Sequence, residues 1–368
     1  MKFEYHYVIC ILLVASVCGL SQKPVDMIYE NRLIYVKMLI NGEFEETFLL
    51  DTGASTSAID LATAMSLGLT ISGKDHVEGT AGRIEVQRVT LDGLSIGTAR
   101  VKDLKVTTYN LTGLLIPRGQ QRVAGILGFD FLRQFVLKID YIDRKITFES
   151  PPVKAASRGS DMLVMPFTLD NGIPRFSAVL DRSINTSFRL DTGASLFASE
   201  DVYLNVTEDI WGKLKSKNRS LVPETHFTGS GVGGTVRLPV ARVGSVAFGK
   251  VAIVKPYVIV QPRAGYFSRP EAVGFVSNNL LEKFRVVTID YINQQLIIRK
   301  QPIWLGRRRE VSRDKGDYLA RKDQTVWDRG RGLRQKTPEK RGALLSIISN
   351  NRRKAWSRYA NAEYLLQK

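Results

Sequence analysis

The chain has 368 residues, with 53 Lys/Arg against 36 Asp/Glu for a net charge of +17, and 2 cysteines. Both cysteines, Cys10 and Cys18, fall in an apolar N-terminal run. The processed chain expected from it holds no disulfide, no cysteine nucleophile and no thiolate metal site.

Residues 1–21 read as a secretory signal. Lys2 gives a positive start, Val8 to Leu20 is unbroken apolar or small, and Val17-Cys18-Gly19 offers a cleavage site. A run of 13 residues is short for a membrane span. An extracytoplasmic protein, secreted or periplasmic, is therefore expected; a membrane anchor is the lesser alternative, and Val17 suits a lipid-modified Cys18 poorly.

Leu33 to Ile40 and Phe44 to Leu50 flank Asn41-Gly42 and predict a hairpin, with Asn-Gly filling the positive-φ positions. The second strand delivers Asp51. Ala58 to Leu67, closed by Gly68, is expected as a short helical turn, with loop and strand as the alternative. Gly79-Thr80-Ala81-Gly82 and Arg83 to Val89 predict a glycine-tipped hairpin. Gly93 to Thr108 reads as alternating strands with Leu94, Ile96, Val101, Leu104 and Val106 inward. Gly125 to Phe135 predicts a turn and helix, and Val136 to Phe148 a closing strand pair around Asp140-Tyr141. A unit spanning 22–150 is thus followed by a linker at 151–160, opened by Pro151-Pro152.

Residues 161–300 then repeat the pattern. Phe48-Leu49-Leu50-Asp51-Thr52-Gly53-Ala54-Ser55 returns at an offset of 140 as Phe188-Arg189-Leu190-Asp191-Thr192-Gly193-Ala194-Ser195. His76-Val77-Glu78-Gly79 returns as His226-Phe227-Thr228-Gly229, and Ile139-Asp140-Tyr141 as Ile289-Asp290-Tyr291, both at an offset of 150. Ile126-Leu127-Gly128 is matched to Ala272-Val273-Gly274. The second glycine-rich hairpin runs from Gly229 through Gly231 to Gly234. This copy departs from the first at Ser277-Asn278-Asn279 and at Tyr203 to Val222, read as an inserted loop containing Trp211.

On these motifs each copy resembles a retropepsin-like aspartic protease unit, and the tandem arrangement resembles a pepsin-like chain. The resemblance covers roughly residues 28–300. It implies an all-β fold of two tandem closed β-barrel lobes related by a pseudo-two-fold, each with one short helix. It also implies that the threonines Thr52 and Thr192 interlock between the motifs.

The chemistry explains the motif. A water held between two carboxylates that share one proton can attack a peptide bond, one carboxylate acting as base and the other as acid toward the carbonyl oxygen. Two close like charges split their pKa values and titrate as a pair. Asp51 and Asp191 are the expected catalytic pair. Gly53 and Gly193 let the backbone turn behind them and offer N–H groups, and Ser55 and Ser195 can donate hydroxyls. Gly79, Gly82, Gly229 and Gly231 mark the flaps expected to close over a peptide or protein substrate. No cofactor and no metal are needed. His76 and His226 are expected as polar strand-end residues, and Asp140 and Asp290 as backbone hydrogen-bonding residues.

Two alternatives stay open: a catalytically silent peptide-binding module on the same fold, and a protease active only as a homodimer that pairs Asp51 with Asp51. The expected state is a monomer that is its own pseudo-dimer. Residues 301–368 carry 18 Lys/Arg and 7 Asp/Glu, +11 of the chain's +17. This tail reads as disordered, or as a basic amphipathic helix through Leu344, Ile348, Ala355, Tyr359 and Leu366 that contacts a membrane surface; an autoinhibitory role in the cleft is a third reading. Nucleic acid is not expected, since no recognition motif accompanies the charge. Asn110, Asn185, Asn205 and Asn218 lie in glycosylation sequons.

Overall fold

The computed structural model describes residues 22–151 except 112, 115 and 118, then 162–194, 201–299 and 364–366. The expected signal, the expected linker from 152 and most of the basic tail lie outside the described residues.

The chain starts in β1 (Val25–Asp26), β2 (Ile28–Glu30) and the hairpin of β3 (Leu33–Ile40) and β4 (Phe44–Leu50). Asn41 and Gly42 take φ of 52° and 80° in its turn, the left-handed values the Asn-Gly pair predicts. β5 (Ala58–Asp60) leads into α1 (Leu61–Ser66), capped by the Asp60 carboxylate, which accepts from Thr63 N at 3.2 Å. β6 (Ile71–Glu78) and β7 (Arg83–Ile96) form the first glycine-tipped hairpin. β8 (Ala99–Tyr109), β9 (Gly125–Leu127), α2 (Phe129–Leu132), β10 (Val136–Asp140) and β11 (Lys145–Glu149) complete this half.

The second half runs through β12 (Met162–Pro166), β13 (Thr168–Asp170), β14 (Ile173–Leu180), β15 (Ile184–Leu190), β16 (Tyr203–Thr207) and α3 (Glu208–Lys217). β17 (Thr225–Gly231) and β18 (Gly234–Arg242) form its glycine-rich hairpin. β19 (Ser245–Phe248), β20 (Val251–Val254), β21 (Tyr257–Gln261), a 3-10 turn (Gly265–Ser268), β22 (Gly274–Val276), α4 (Asn278–Leu281), β23 (Val286–Asp290) and β24 (Gln295–Arg299) follow. A last strand, β25 (Tyr364–Leu366), lies parallel to β17.

The protein is mostly β, as expected. One sheet follows the order β2-β3-β4-β9-β5-β8-β7-β6, and a second the order β20-β19-β14-β15-β22-β16-β21-β18-β17-β25, with β13 paired to β14. A third, β1-β11-β10-β23-β24-β12, draws strands from both halves. The expectation of closed barrels is corrected. Among the described residues the first sheet has unpaired edges at β2 and β6, and it folds back on itself where β3 meets β7, through Leu39–Ser95 and Ile40–Leu94. β6 lies beyond that contact, carried out to the hairpin tip.

Alternating apolar residues build the core. Met38 and Ile40 on β3, Phe48 and Leu50 on β4, and Leu94 and Ile96 on β7 all point into one apolar cluster. The same cluster takes in Phe188, Leu190 and Phe248 of the second half and Ile139 and Ile289 of the shared sheet. Each large side chain so buried contributes about 1.5–3 kcal/mol, and this core leads directly to the strand ends that carry Asp51 and Asp191.

Other expectations change in detail. Residues 58–67 are strand β5 followed by α1, shorter than the helical turn expected. β7 runs unbroken from the glycine-tipped hairpin into the Leu94 segment, with Val86, Val89, Leu91, Leu94 and Ile96 buried along it. The expected loop at Tyr203 to Val222 is β16 plus α3, which buries Trp211; Thr207 caps α3, accepting from Ile210 N at 3.3 Å. Leu366 lies in the extended β25, so the tail helix does not hold there.

Strand register also corrects the pairing of motifs. β4 runs parallel to β9 with Phe48 opposite Gly125, and β15 parallel to β22 with Phe188 opposite Gly274. The counterpart of Ile126-Leu127-Gly128 is therefore Phe275-Val276-Ser277, not Ala272-Val273-Gly274. Matching Gly274 to Gly128 misplaced it: at Gly274, as at Gly125, a Cβ would meet both a neighbouring strand's carbonyl oxygen and a phenylalanine ring.

Candidate active site

β4 and β15 each end at an aspartate. Asp51 N donates to Leu127 O at 3.0 Å and Asp191 N to Val276 O at 2.9 Å, so each Asp is held by the partner strand that flanks it. The turn behind each folds back: Gly53 N reaches Asp51 Oδ1 at 2.8 Å and Gly193 N reaches Asp191 Oδ1 at 3.1 Å. These N–H groups, as the motif implies, fix one oxygen of each carboxyl.

The threonines tie the two turns together. Thr52 Oγ1 donates to Leu190 O at 3.0 Å and accepts from Thr192 N at 3.1 Å. Reciprocally, Thr192 Oγ1 donates to Leu50 O at 2.8 Å and accepts from Thr52 N at 3.0 Å. All four bonds are buried, so neither turn can shift without leaving polar groups unsatisfied.

The two motifs meet at close range. A Cβ placed on Gly193 would stand 2.5 Å from Asp51 Oδ2 and 2.6 Å from Oδ1, so the Asp51 carboxyl lies against the backbone of the second motif. Asp51 and Asp191 are both buried, at 0% and 4% exposure, and both line one cleft of ≈ 360 Å³. Gly53, Ala54 and Ser55 line it too; Ser195 lies outside the described residues. Tyr109 lines the same cleft. Burial pushes its phenol well above the ordinary tyrosine value, with the Asp51 charge adding to the effect, so it stays a neutral donor.

The hairpin tips meet each other. Gly79 N donates to Gly82 O at 2.7 Å across the first tip, and Ala81 N donates to Val232 O of the second tip at 3.2 Å. Gly79 O accepts from Tyr266 N at 2.9 Å, and Arg269 pairs with Glu78, so the first flap is moored to the second half. Gly82 packs on Gly233. Gly229 and Gly231 sit within β17, not at its tip, where Val232 and Gly233 are found instead.

The remaining expectations fall as follows. His76 is on β6 and lines the cleft; His226 is on β17, opposite Pro239. Asp140 accepts from Ile142 N and Asp143 N, and Asp290 from Ile292 N and Asn293 N, which makes both turn caps in the shared sheet. Asn205 is buried and bonded to Gln261, out of reach of a glycan in the folded protein.

Sequence reasoning missed several supports. Ser57 N and Oγ both donate to Asp130 Oδ1, at 2.9 and 2.5 Å, and Ser57 Oγ accepts from Gly128 N at 2.9 Å. This knot backs the first Asp turn; the Asp130 of the Gly-Phe-Asp run was its visible signal. In the second half Asn278 Nδ2 donates to Thr192 O and to Arg32 O, both at 2.8 Å, and its Oδ1 accepts from Tyr141 OH. The departure seen at Ser277-Asn278-Asn279 is thus a brace across the halves.

Two buried Asp-Thr-Gly turns, cross-bonded at the ends of strands from two different sheets in a mostly-β protein, define an aspartic-protease-like site. Residues 36–131 match the family model described as aspartyl protease, a stretch from β3 through the Asp51 turn to α2. That stretch is thus similar to the aspartyl protease family, in line with the resemblance read from the motifs. No curated protein matches the chain.

Proposed function

We propose that the protein is an aspartic endopeptidase acting outside the cytoplasm as a single chain, with two lobes related by a pseudo-two-fold. The symmetry is supported by two reciprocal pairings. Thr52 and Thr192 exchange hydrogen bonds, and Lys138 of β10 lies opposite Thr288 of β23, its counterpart at an offset of 150.

In this reading Asp51 and Asp191 share one proton. The ionised carboxyl takes a proton from a water between them as the water attacks the peptide carbonyl carbon, and the protonated one gives its proton to the carbonyl oxygen. The proton gained then passes to the departing amine. Gly53 and Gly193 N–H groups keep the two carboxyls oriented, and Ser55 and Ser195 add hydroxyl donors. The hairpins carrying Gly79, Gly82, Gly229 and Gly231 close over the substrate and exclude bulk water.

The observation that carries the proposal is the seat of the Asp51 carboxyl against Gly193. A homodimer pairing Asp51 with Asp51 has that contact, and the Thr52–Thr192 bonds within one chain, against it. The test is hydrolysis of an unstructured peptide library at several pH values by the wild type and Asp51→Asn. Wild-type fragments that disappear in the variant are expected. The same fragments at the same rate from both would end the enzyme reading and leave a peptide-binding module.

A further inference from the structure

The two Asp strands differ two residues before the Asp, where a core leucine in the first half is replaced by a cleft-lining arginine in the second. Leu49 and Arg189 each stand two residues before the Asp, opposite Ile126 and Phe275. Leu49 is sealed among Leu33, Tyr35 and Ile126. Arg189 is an arginine in the corresponding position, 8% exposed, and it lines the cleft with Asp51 and Asp191.

Its surroundings leave the guanidinium underused. The Arg189 guanidinium lies over the Tyr266 ring, 4.3 Å from the centroid. Its Nε is buried without a hydrogen-bond partner. The Asp170 carboxylate is the neighbouring anion, but at 3.9 Å from Nε it is beyond hydrogen-bond reach, and it also accepts from Tyr266 OH at 3.4 Å. A cation taken from water is costly to keep unless hydrogen-bonded. A guanidinium matches a carboxylate with two parallel N–H donors.

We propose that Arg189 forms an anion-binding subsite beside the dyad, and that the preferred substrate presents a Glu or Asp side chain next to the scissile bond. This rests on the endopeptidase reading. Tyr266 supports the guanidinium from one face and Asp170 holds its orientation, while the substrate carboxylate supplies hydrogen bonds to the guanidinium from the cleft side. The first half has no such cation, since Leu49 is buried in the core, so the cleft carries the anion-binding group on one side only.

The test uses the full chain and C-terminally amidated peptides that differ only in Glu, Gln or Leu at the positions flanking the cleaved bond. Binding is measured on Asp51→Asn, with and without Arg189→Leu or Arg189→Lys, alongside cleavage by the wild type. Asp51→Asn is expected to bind the Glu peptide about tenfold or more tighter than the Gln peptide. Arg189→Leu should abolish the ratio and Arg189→Lys should keep part of it. Melting curves verify that each variant is folded. Equal binding of Glu and Gln peptides, or a ratio unchanged in Arg189→Leu, overturns the subsite. If the ratio behaves as expected while the wild type cuts no peptide, the subsite stands and the hydrolase reading fails.

Discussion

At the scale of single residues, Gly193 is where space alone decides the outcome. Any Cβ there enters the Asp51 carboxyl, so Gly193→Ala must displace the group expected to hold the water. A fall in kcat/KM of at least about 100-fold is expected; near-wild-type kinetics in this variant would mean that the Asp51 carboxyl is not so placed. Thr52 makes a different kind of contribution. Thr52→Ala strips a donor from Leu190 O and an acceptor from Thr192 N, both buried, and should lower stability by about 2–4 kcal/mol in urea denaturation. A loss under about 0.5 kcal/mol would be the size of a surface substitution and would contradict the reading.

Asp130 gives a pH dependence. Burial pushes its carboxyl above the ordinary aspartate range, against the pull of the Ser57 and Phe131 donors, and its Oδ2 is buried without a partner. The folded state therefore holds a proton that the unfolded chain releases near pH 4. Its contribution is full below that value and declines as pH rises through the folded pKa. Asn279 fills the corresponding place in α4, and Asp130→Asn keeps the Oδ1 acceptor while removing the titration. The urea midpoint of this variant should lose less between pH 4 and pH 7 than the parent's; a larger loss would contradict the assignment.

Among the elements, the two hairpins depend on each other. Gly233 has φ +99°, and a Cβ on it would strike Gly82 and lie 2.7 Å from the Ala81 carbonyl carbon. Gly233→Ala is expected to part the tips and raise KM several-fold with a smaller change in kcat, read from steady-state kinetics on one cleaved peptide; an unchanged KM would show that closure does not depend on this contact. The hairpins themselves were legible from their glycine runs and alternating flanks. Their meeting was not, because Ala81 and Val232 carry no sequence signal for a backbone bond between segments 151 residues apart. For the same reason Gly229 and Gly231 suggested a tip that the register puts at Val232 and Gly233.

For the whole molecule, repetition made the duplicated Asp turns readable, since a strand entering Asp-Thr-Gly is a local pattern with a local cause. The sheet shared between the halves was not readable. Asp140-Tyr141 and Asp290-Tyr291 mark closing strands, yet their sequences do not say that β10 pairs with β23 rather than with a strand of its own half. Arg189 was visible as a difference between two otherwise matched motifs, but only the positions of Tyr266 and Asp170 give that difference a chemical meaning. The halves are joined through β10–β23, the four threonine bonds and Asn278.

The central claim is that the two Asp residues of a single chain form one catalytic pair, and kcat/KM of Asp191→Asn on a peptide cut by the wild type tests it most directly. An in-chain pair predicts a fall of at least about 10³-fold, since half of the acid–base machinery is gone. Retention of wild-type kcat/KM, as two first halves pairing Asp51 with Asp51 would give, contradicts it.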